Sequence, residues 1–308
     1  MSLTKNQPNF PLDELHTLRD YIRWTASYFN QAKVFFGHGT DNAWDEAVLL
    51  VFGCLHLPWD TDHTAMDARL TRQEKENICR VVVRRVNERI PLAYLTNEAW
   101  FAGLPFYVDE RVLIPRSPIA ELIERGFTPW LCGDEVHQIL DLCTGSGCIG
   151  IACAMAFPES EVDLSDVSED ALAVAGINIR NHHLEKRVSL YQSNLFNELP
   201  LKGYDLIVSN PPYVDAQDFA DMPEEYKHEP QLGLSAGADG LDCIREILRK
   251  AGDYLTEYGV LVAEVGNSEA ALRKACEGVP FLWLDFERGG HGVFVLTAAQ
   301  LKQYKSLF

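Results

Sequence analysis

The 308-residue sequence predicts an α/β fold in which a small all-α segment and a β connector precede a doubly wound, largely parallel sheet. From about Ile119 onward, short apolar runs rich in β-branched residues alternate with helical stretches, the pattern of strands joined by crossover helices. Ahead of them, up to about Glu88, the periodicity is helical. In between, aromatic-rich runs are broken by Gly103-Leu104-Pro105, which suits a hairpin better than a helix.

In chain order, "PLDELHTLRDYIRWTASYFNQA" sets Leu15, Leu18, Ile22, Tyr28 and Phe29 on one stripe, with Asp and Glu in its first turn. "DNAWDEAVLLVFGCLHLP" opens on capping residues and stops at Leu57-Pro58, and "LTRQEKENICRVVVRRVNERIP" puts Ile78, Val82 and Val86 on one face before Pro91. The expected domains are residues 1–90 helical, 91–117 a β-hairpin linker and 118–308 the sheet domain. Its strands are "HQILDL", "EVDLSDV", "RVSLYQS", "YDLIVSN", "GVLVAEVG", "FLWLDFER" and "GVFVLT". The last two are joined by "GGHG", too short for a parallel crossover, so the sheet should end with an antiparallel strand.

Composition narrows the function classes. The chain is 47% hydrophobic without a low-complexity tract, so it can bury a core. The opening "MSLTKNQPNFPLDEL" has no apolar leader and no run reaches membrane-spanning length, which leads one to expect a soluble, cytoplasmic protein. Eight cysteines in a chain this long do not call for disulfides, and Cys143, Cys148 and Cys153 recur at no zinc spacing, so no metal is expected. The formal charge is −18, of which residues 1–117 carry −2 and the remainder −16. Such a surface repels phosphate backbones and attracts basic polypeptides or cationic small molecules.

"ILDLCTGSGCIG" is a strand, a turn carrying Gly145 and Gly147, and a helix start, where glycines let backbone approach a ligand closely. Asp141, at the strand end, could hold an ammonium group such as that of S-adenosylmethionine, or could accept loop N–H bonds. Asp166 ends the next strand some 25 residues on, a placement suited to ribose hydroxyls. A dehydrogenase would satisfy both, but the position of Asp141 ahead of the loop and the final hairpin point away from one. Asn194 and Leu195 close the third strand, where an adenine ring would be reached.

The fourth strand delivers Asn210-Pro211-Pro212-Tyr213 to the same edge. A carboxamide or base amine is a poor nucleophile because its lone pair is delocalised. Two acceptors, the Asn210 side-chain oxygen and the Pro211 carbonyl, would grip its N–H bonds and favour the pyramidal transition state. Pro211 and Pro212 fix φ and add no competing donor, while Tyr213 could stack on the flat group and exclude water.

With these residues in view, the chain resembles the protein N5-glutamine methyltransferases, class I enzymes that use S-adenosylmethionine. The resemblance runs through "PLAYLTNEAWFAGLPFYVDERVLIPRSP", "DLCTGSG", "DVSEDAL", "NPPY", "HEPQLGLSAGADGL" and "FERGGHGVFVLT". It implies a seven-stranded Rossmann-like methyltransferase sheet, a helical N-terminal substrate-recognition domain and a hairpin linker. It also implies a cofactor site made by Asp141, Cys143, Thr144, Gly145, Ser146, Gly147, Asp166, Asn194, Leu195 and Asn210, with Asn210 and the Pro211 carbonyl holding the glutamine amide.

One branch of the family modifies the GGQ loop of release factors, the other large-subunit ribosomal protein three. The chain looks more like the second, by Cys143 in place of the first loop glycine, by "YFNQAKVFFGHGTDNAWDEA" and by "FERGGHGVF". A basic ribosomal protein is therefore the implied partner, with tight nucleic-acid binding not expected. Asn194 departs from the aspartate common in relatives. The rival readings are an adenine-N6 nucleic-acid methyltransferase, which should carry basic patches, and a non-catalytic module that keeps the fold.

Overall fold

The computed structural model describes residues 10–58 and 60–308, and the chain divides into two compact units, Met1–Asn97 and Glu98–Phe308. Residues 1–9, part of the stretch read for a leader, lie outside the described residues.

The first unit holds α1 (Leu18–Gln31), α2 (Ala43–Leu55), α3 (Arg72–Asn87) and the single turn α4 (Leu92–Thr96). Helix α1 begins later than its apolar stripe suggests, because Thr17 adopts an extended conformation and closes a capping box with Asp20. Asp13, Glu14 and Leu15 thus precede the helix. Thr71 and Glu74 cap α3 in the same way, and the Asn42 side chain caps α2. Tyr21, Ile22, Phe29, Leu50, Ile78 and Val82 form the centre of this unit's core.

In the second unit β1 (Ala99–Phe101) and β2 (Leu104–Phe106) pair as a hairpin. Ala102 and Gly103 turn it with φ of 48° and 75°, as a two-residue hairpin turn requires. The expected 91–117 connector is therefore a strand pair over only part of its length: it starts in α4, and residues 107–118 carry no regular strand.

A seven-stranded sheet follows, made of β3 (Gln138–Leu142), β4 (Glu161–Asp166), β5 (Val188–Gln192), β6 (Tyr204–Ser209), β7 (Leu255–Glu264), β8 (Leu282–Trp283) and β9 (Val293–Thr297). Their order is β5-β4-β3-β6-β7-β9-β8. The first five are parallel, and β9 runs antiparallel to both β7 and β8. The expected strand "FLWLDFER" is regular only at Leu282–Trp283, so the link before β9 is residues 284–292 rather than "GGHG" alone, still too short for a parallel crossover. Alternate residues of each strand serve opposite faces. Ile139, Leu206, Val208 and Val262 pack in one cluster with α5 (Ile119–Glu124), α6 (Cys148–Ala156) and α7 (Glu169–Asn181). Leu140, Ile207, Leu261 and Phe294 pack in the other with α9 (Asp242–Tyr254), α10 (Glu269–Ala275) and α11 (Ala298–Gln303). A short helix, α8 (Ala216–Asp221), lies between β6 and α9 in the chain. From β3 the chain runs outward through β4 to the edge strand β5 and then crosses back to β6 on the other side of β3. This reversal of strand order opens a crevice at the carboxyl ends of β3 and β6.

Candidate active site

The loop after β3 is shaped from beneath by Asp141. Its side chain is fully buried, and Oδ2 accepts from Thr144 Oγ1 at 2.6 Å and from the Gly150 N–H at 2.9 Å. Oδ1 has no partner, and burial pushes the carboxyl up to about 7 against those two bonds. Gly145 and Gly147 carry the loop through φ of 55° and 82°. A Cβ on Gly145 would meet nothing within 4 Å, so the backbone there faces open space. Cys143, in place of a glycine, takes φ of 58°.

Asp166 ends β4 beside this loop. Its Oδ2 accepts from the Gly145 N–H and its Oδ1 from the Ser168 N–H, both at 2.9 Å. Burial raises its pKa, and these backbone bonds oppose the shift. After β5, Ser193 Oγ donates to the Leu195 carbonyl at 2.7 Å and the Asn194 N–H to Glu198 Oε2 at 2.9 Å, which folds the chain back on itself.

Between these segments lies a cavity of about 360 Å³. Cys143, Thr144, Gly145, Ser146, Asp166, Asn194, Leu195, Asn210 and Pro212 line it. Asn210 presents a buried side-chain oxygen without a hydrogen-bond partner. A buried acceptor left unpaired costs about 1–3 kcal/mol.

Four residues expected at the site do not line the cavity. Asp141 stands behind the loop, and the second of the two sequence alternatives, a carboxylate accepting loop hydrogen bonds, describes its geometry. Gly147 caps α6. Pro211 is buried. Tyr213 donates its hydroxyl to Glu264 Oε1 at 3.0 Å, and Glu264 Oε2 accepts from Ser117 Oγ at 2.5 Å. Burial raises both the tyrosine hydroxyl and this carboxyl. The tyrosine is thus held by its hydroxyl in a buried Ser-Glu-Tyr chain.

Sequence reasoning missed the roof. Residues 111–117 and Pro230, Leu232, Gly233 and Ser235 supply another part of the cavity's lining, its roof. Arg116 Nη1 and Nη2 grip Glu229 Oε1 and Oε2 at 2.5 and 2.7 Å, and the Ile114 N–H donates to the same carboxylate at 3.0 Å. Asn178, fully buried on α7, ties the roof's approach to the loop: Oδ1 accepts the Tyr107 N–H, and Nδ2 donates to the carbonyls of Tyr107 and Ser146. Gly150 was also missed. A Cβ there would stand 2.1 Å from Leu164 Cδ2 on β4, so only glycine lets α6 approach the sheet this closely. Its signal was available in the Gly145-x-Gly147-x-x-Gly150 spacing. Among the described residues no cluster of His, Cys, Asp and Glu could hold a metal ion, and no helix is long and apolar enough to cross a membrane.

Three comparisons with known proteins show what the chain is similar to. Residues 129–225 match the family model described as the methyltransferase small domain. Over 298 residues the chain is 51% identical to the ribosomal protein uL3 glutamine methyltransferase of Francisella tularensis subsp. tularensis, covering 96% of this chain and 95% of that one. It is equally 51% identical to the protein of the same name from Neisseria gonorrhoeae, over 95% of this chain and 98% of that one. Among solved structures, the hMettl16 catalytic domain in complex with a MAT2A 3'UTR hairpin superposes with a TM-score of 0.50. It covers 73% of this chain and 81% of that one, and at 16% identity the likeness concerns the fold alone.

Proposed function

Because this chain belongs to the ribosomal protein uL3 glutamine methyltransferase family, we propose that it methylates the side-chain amide nitrogen, N5, of a glutamine in uL3, using S-adenosylmethionine. The observation that carries the reading is the unpartnered oxygen of Asn210, buried on the wall of the cavity.

The residues present fit the cofactor. Gly145 offers open backbone, Asp166 offers a carboxylate toward a ribose, and Asn194 and Leu195 provide an edge for an adenine. When bound, S-adenosylmethionine supplies a methyl group activated by a sulfonium. Asp141 and Gly147 act through the loop they shape rather than by touching the ligand.

The chain's own part in the reaction is positional. Asn210 Oδ1 and the Pro211 carbonyl accept the two amide protons of the glutamine, which stabilises nitrogen as it turns pyramidal and gains positive charge. Prolines at 211 and 212 hold both acceptors in one orientation without a competing N–H. Tyr213, fixed by Glu264, sets the far side of this corner. The roof over the cavity keeps water from the methyl group. The C–N bond forms as the C–S bond of the sulfonium breaks to leave a neutral thioether. The nitrogen, acidic once alkylated, releases one proton to solvent or the loop, so no side chain is needed as a strong base. A cytoplasmic site of action follows from the substrate, and the −18 charge suits a basic ribosomal protein better than a phosphate backbone.

The test offers labelled methyl donor in parallel to uL3, release factors and DNA, and maps the label. The expected result is one labelled glutamine in uL3. Asn210→Ala should lower kcat/KM by about 10²–10³-fold while leaving cofactor affinity within about threefold. Label confined to DNA or a release factor, or an undiminished Asn210→Ala, refutes the reading.

A further inference from the structure

One loop of the first unit is held at an expense that methyl transfer does not explain. Within the Met1–Asn97 core, Arg85 is 1% exposed and Glu46 2% exposed, and Arg85 Nε donates to Glu46 Oε1 at 2.6 Å. A buried ion pair contributes little net stability, since desolvating both charges offsets their attraction. This pair reaches a loop instead. Arg85 Nη2 donates to the Phe35 carbonyl at 2.7 Å, and Glu46 Oε2 accepts from Thr40 Oγ1 at 3.0 Å. Both ends of the Phe36-Gly37-His38-Gly39 run are thereby anchored to charged groups in the core.

That anchored loop is one wall of an open groove of about 570 Å³. The other wall is the face of α2 bearing Asp45, Val48, Leu49 and Phe52, spaced as residues that share one side of a helix. Leu49 is 39% exposed, and Trp44, one turn before Val48, is 51% exposed. The ionisable groups lining the groove, Asp41 and Asp45, are both acidic.

We propose that this groove docks a lysine- or arginine-bearing segment of the protein substrate. The aliphatic stem of such a side chain lies on Val48, Leu49 and Phe52, its cation meets Asp41 and Asp45, and the exposed Trp44 ring adds a cation–π face. The inference rests on the reading that the substrate is a basic protein. Charge argues for this occupant over a second copy, which would set like carboxylates against each other in a face-to-face dimer.

The experiment compares the full chain with the Trp44→Ala/Asp41→Asn double variant. The asparagine retains the oxygen that accepts from Asn42 Nδ2. Labelled uL3 binding, read by fluorescence anisotropy without cofactor, should weaken about tenfold. KM for uL3 should rise to match, with kcat within about twofold and the unfolding midpoint unchanged. A short glutamine peptide lacking basic flanks should be methylated equally by both proteins; an equal loss on that peptide would assign the effect to the transfer site and overturn the proposal. Unchanged binding and KM on whole uL3 would also overturn it. So would a concentration-dependent dimer of the unmodified chain that the double variant abolishes. If the unmodified chain binds uL3 without methylating it, the functional reading fails and the binding constants still decide the groove. Neither binding nor methylation would end both.

Discussion

Asp141 illustrates how one acid can serve a site it does not enter. Its carboxyl is fully buried and pushed up to about 7 by that burial. A raised carboxyl holds its proton more tightly in the folded chain than in the unfolded one. Its contribution to stability is therefore greatest below the ordinary value of 3.8 and declines as pH rises from there through about 7. Urea unfolding between about pH 5 and 8 should show a steeper loss of stability in the unmodified protein than in Asp141→Asn, whose amide has no proton to release. Parallel slopes would contradict this. The sequence marked residue 141 as important but left its role open, because a one-letter acid at a strand end does not reveal which side of the loop it faces. Asn210 was more legible: two following prolines exclude continued pairing and leave its side chain at the strand mouth.

At the scale of elements, α6 is positioned by a missing side chain. An alanine in a helix usually gains up to about 1 kcal/mol over glycine, yet at Gly150 the added carbon would overlap Leu164 and crowd Asp141. Gly150→Ala should instead destabilise by about 1–3 kcal/mol and weaken cofactor binding, since α6 carries the loop at its N-terminus. Chemical denaturation and a cofactor titration check this, and a stabilised variant would refute it. The strands of the large sheet were legible because their β-branched runs and intervening helices have different periods. The link before β9, residues 284–292 once β8 shrinks to Leu282–Trp283, is still too short for anything but reversal. The roof was not legible. Its order comes from Arg116 and Glu229, which lie 113 residues apart, and from Asn178 acting on Tyr107 71 residues away. Such pairs leave no local period. The start of α1 was misplaced for a related reason, since a polar capping box outweighed an apolar stripe that continues past it.

Across the whole molecule the dominant feature is charge, −18 in all and −16 beyond residue 117. Encounter with a basic protein should therefore be steered by the field and screened by salt. Between roughly 50 and 200 mM salt, KM for uL3 should rise about fivefold or more, and cofactor affinity should change far less. A flat KM would remove electrostatics from substrate capture. The final hairpin has a consequence of another kind. Among the described residues none after Cys243 lines the cavity, yet the late chain secures its frame. Glu264 grips Ser117 and Tyr213, the Val265 N–H donates to the Gly292 carbonyl, and the N–H groups of Glu287 and Arg288 donate to Glu121 on α5. A protein ending at its last wall residue would own every surface a ligand touches and lack the buttress that keeps those surfaces in register.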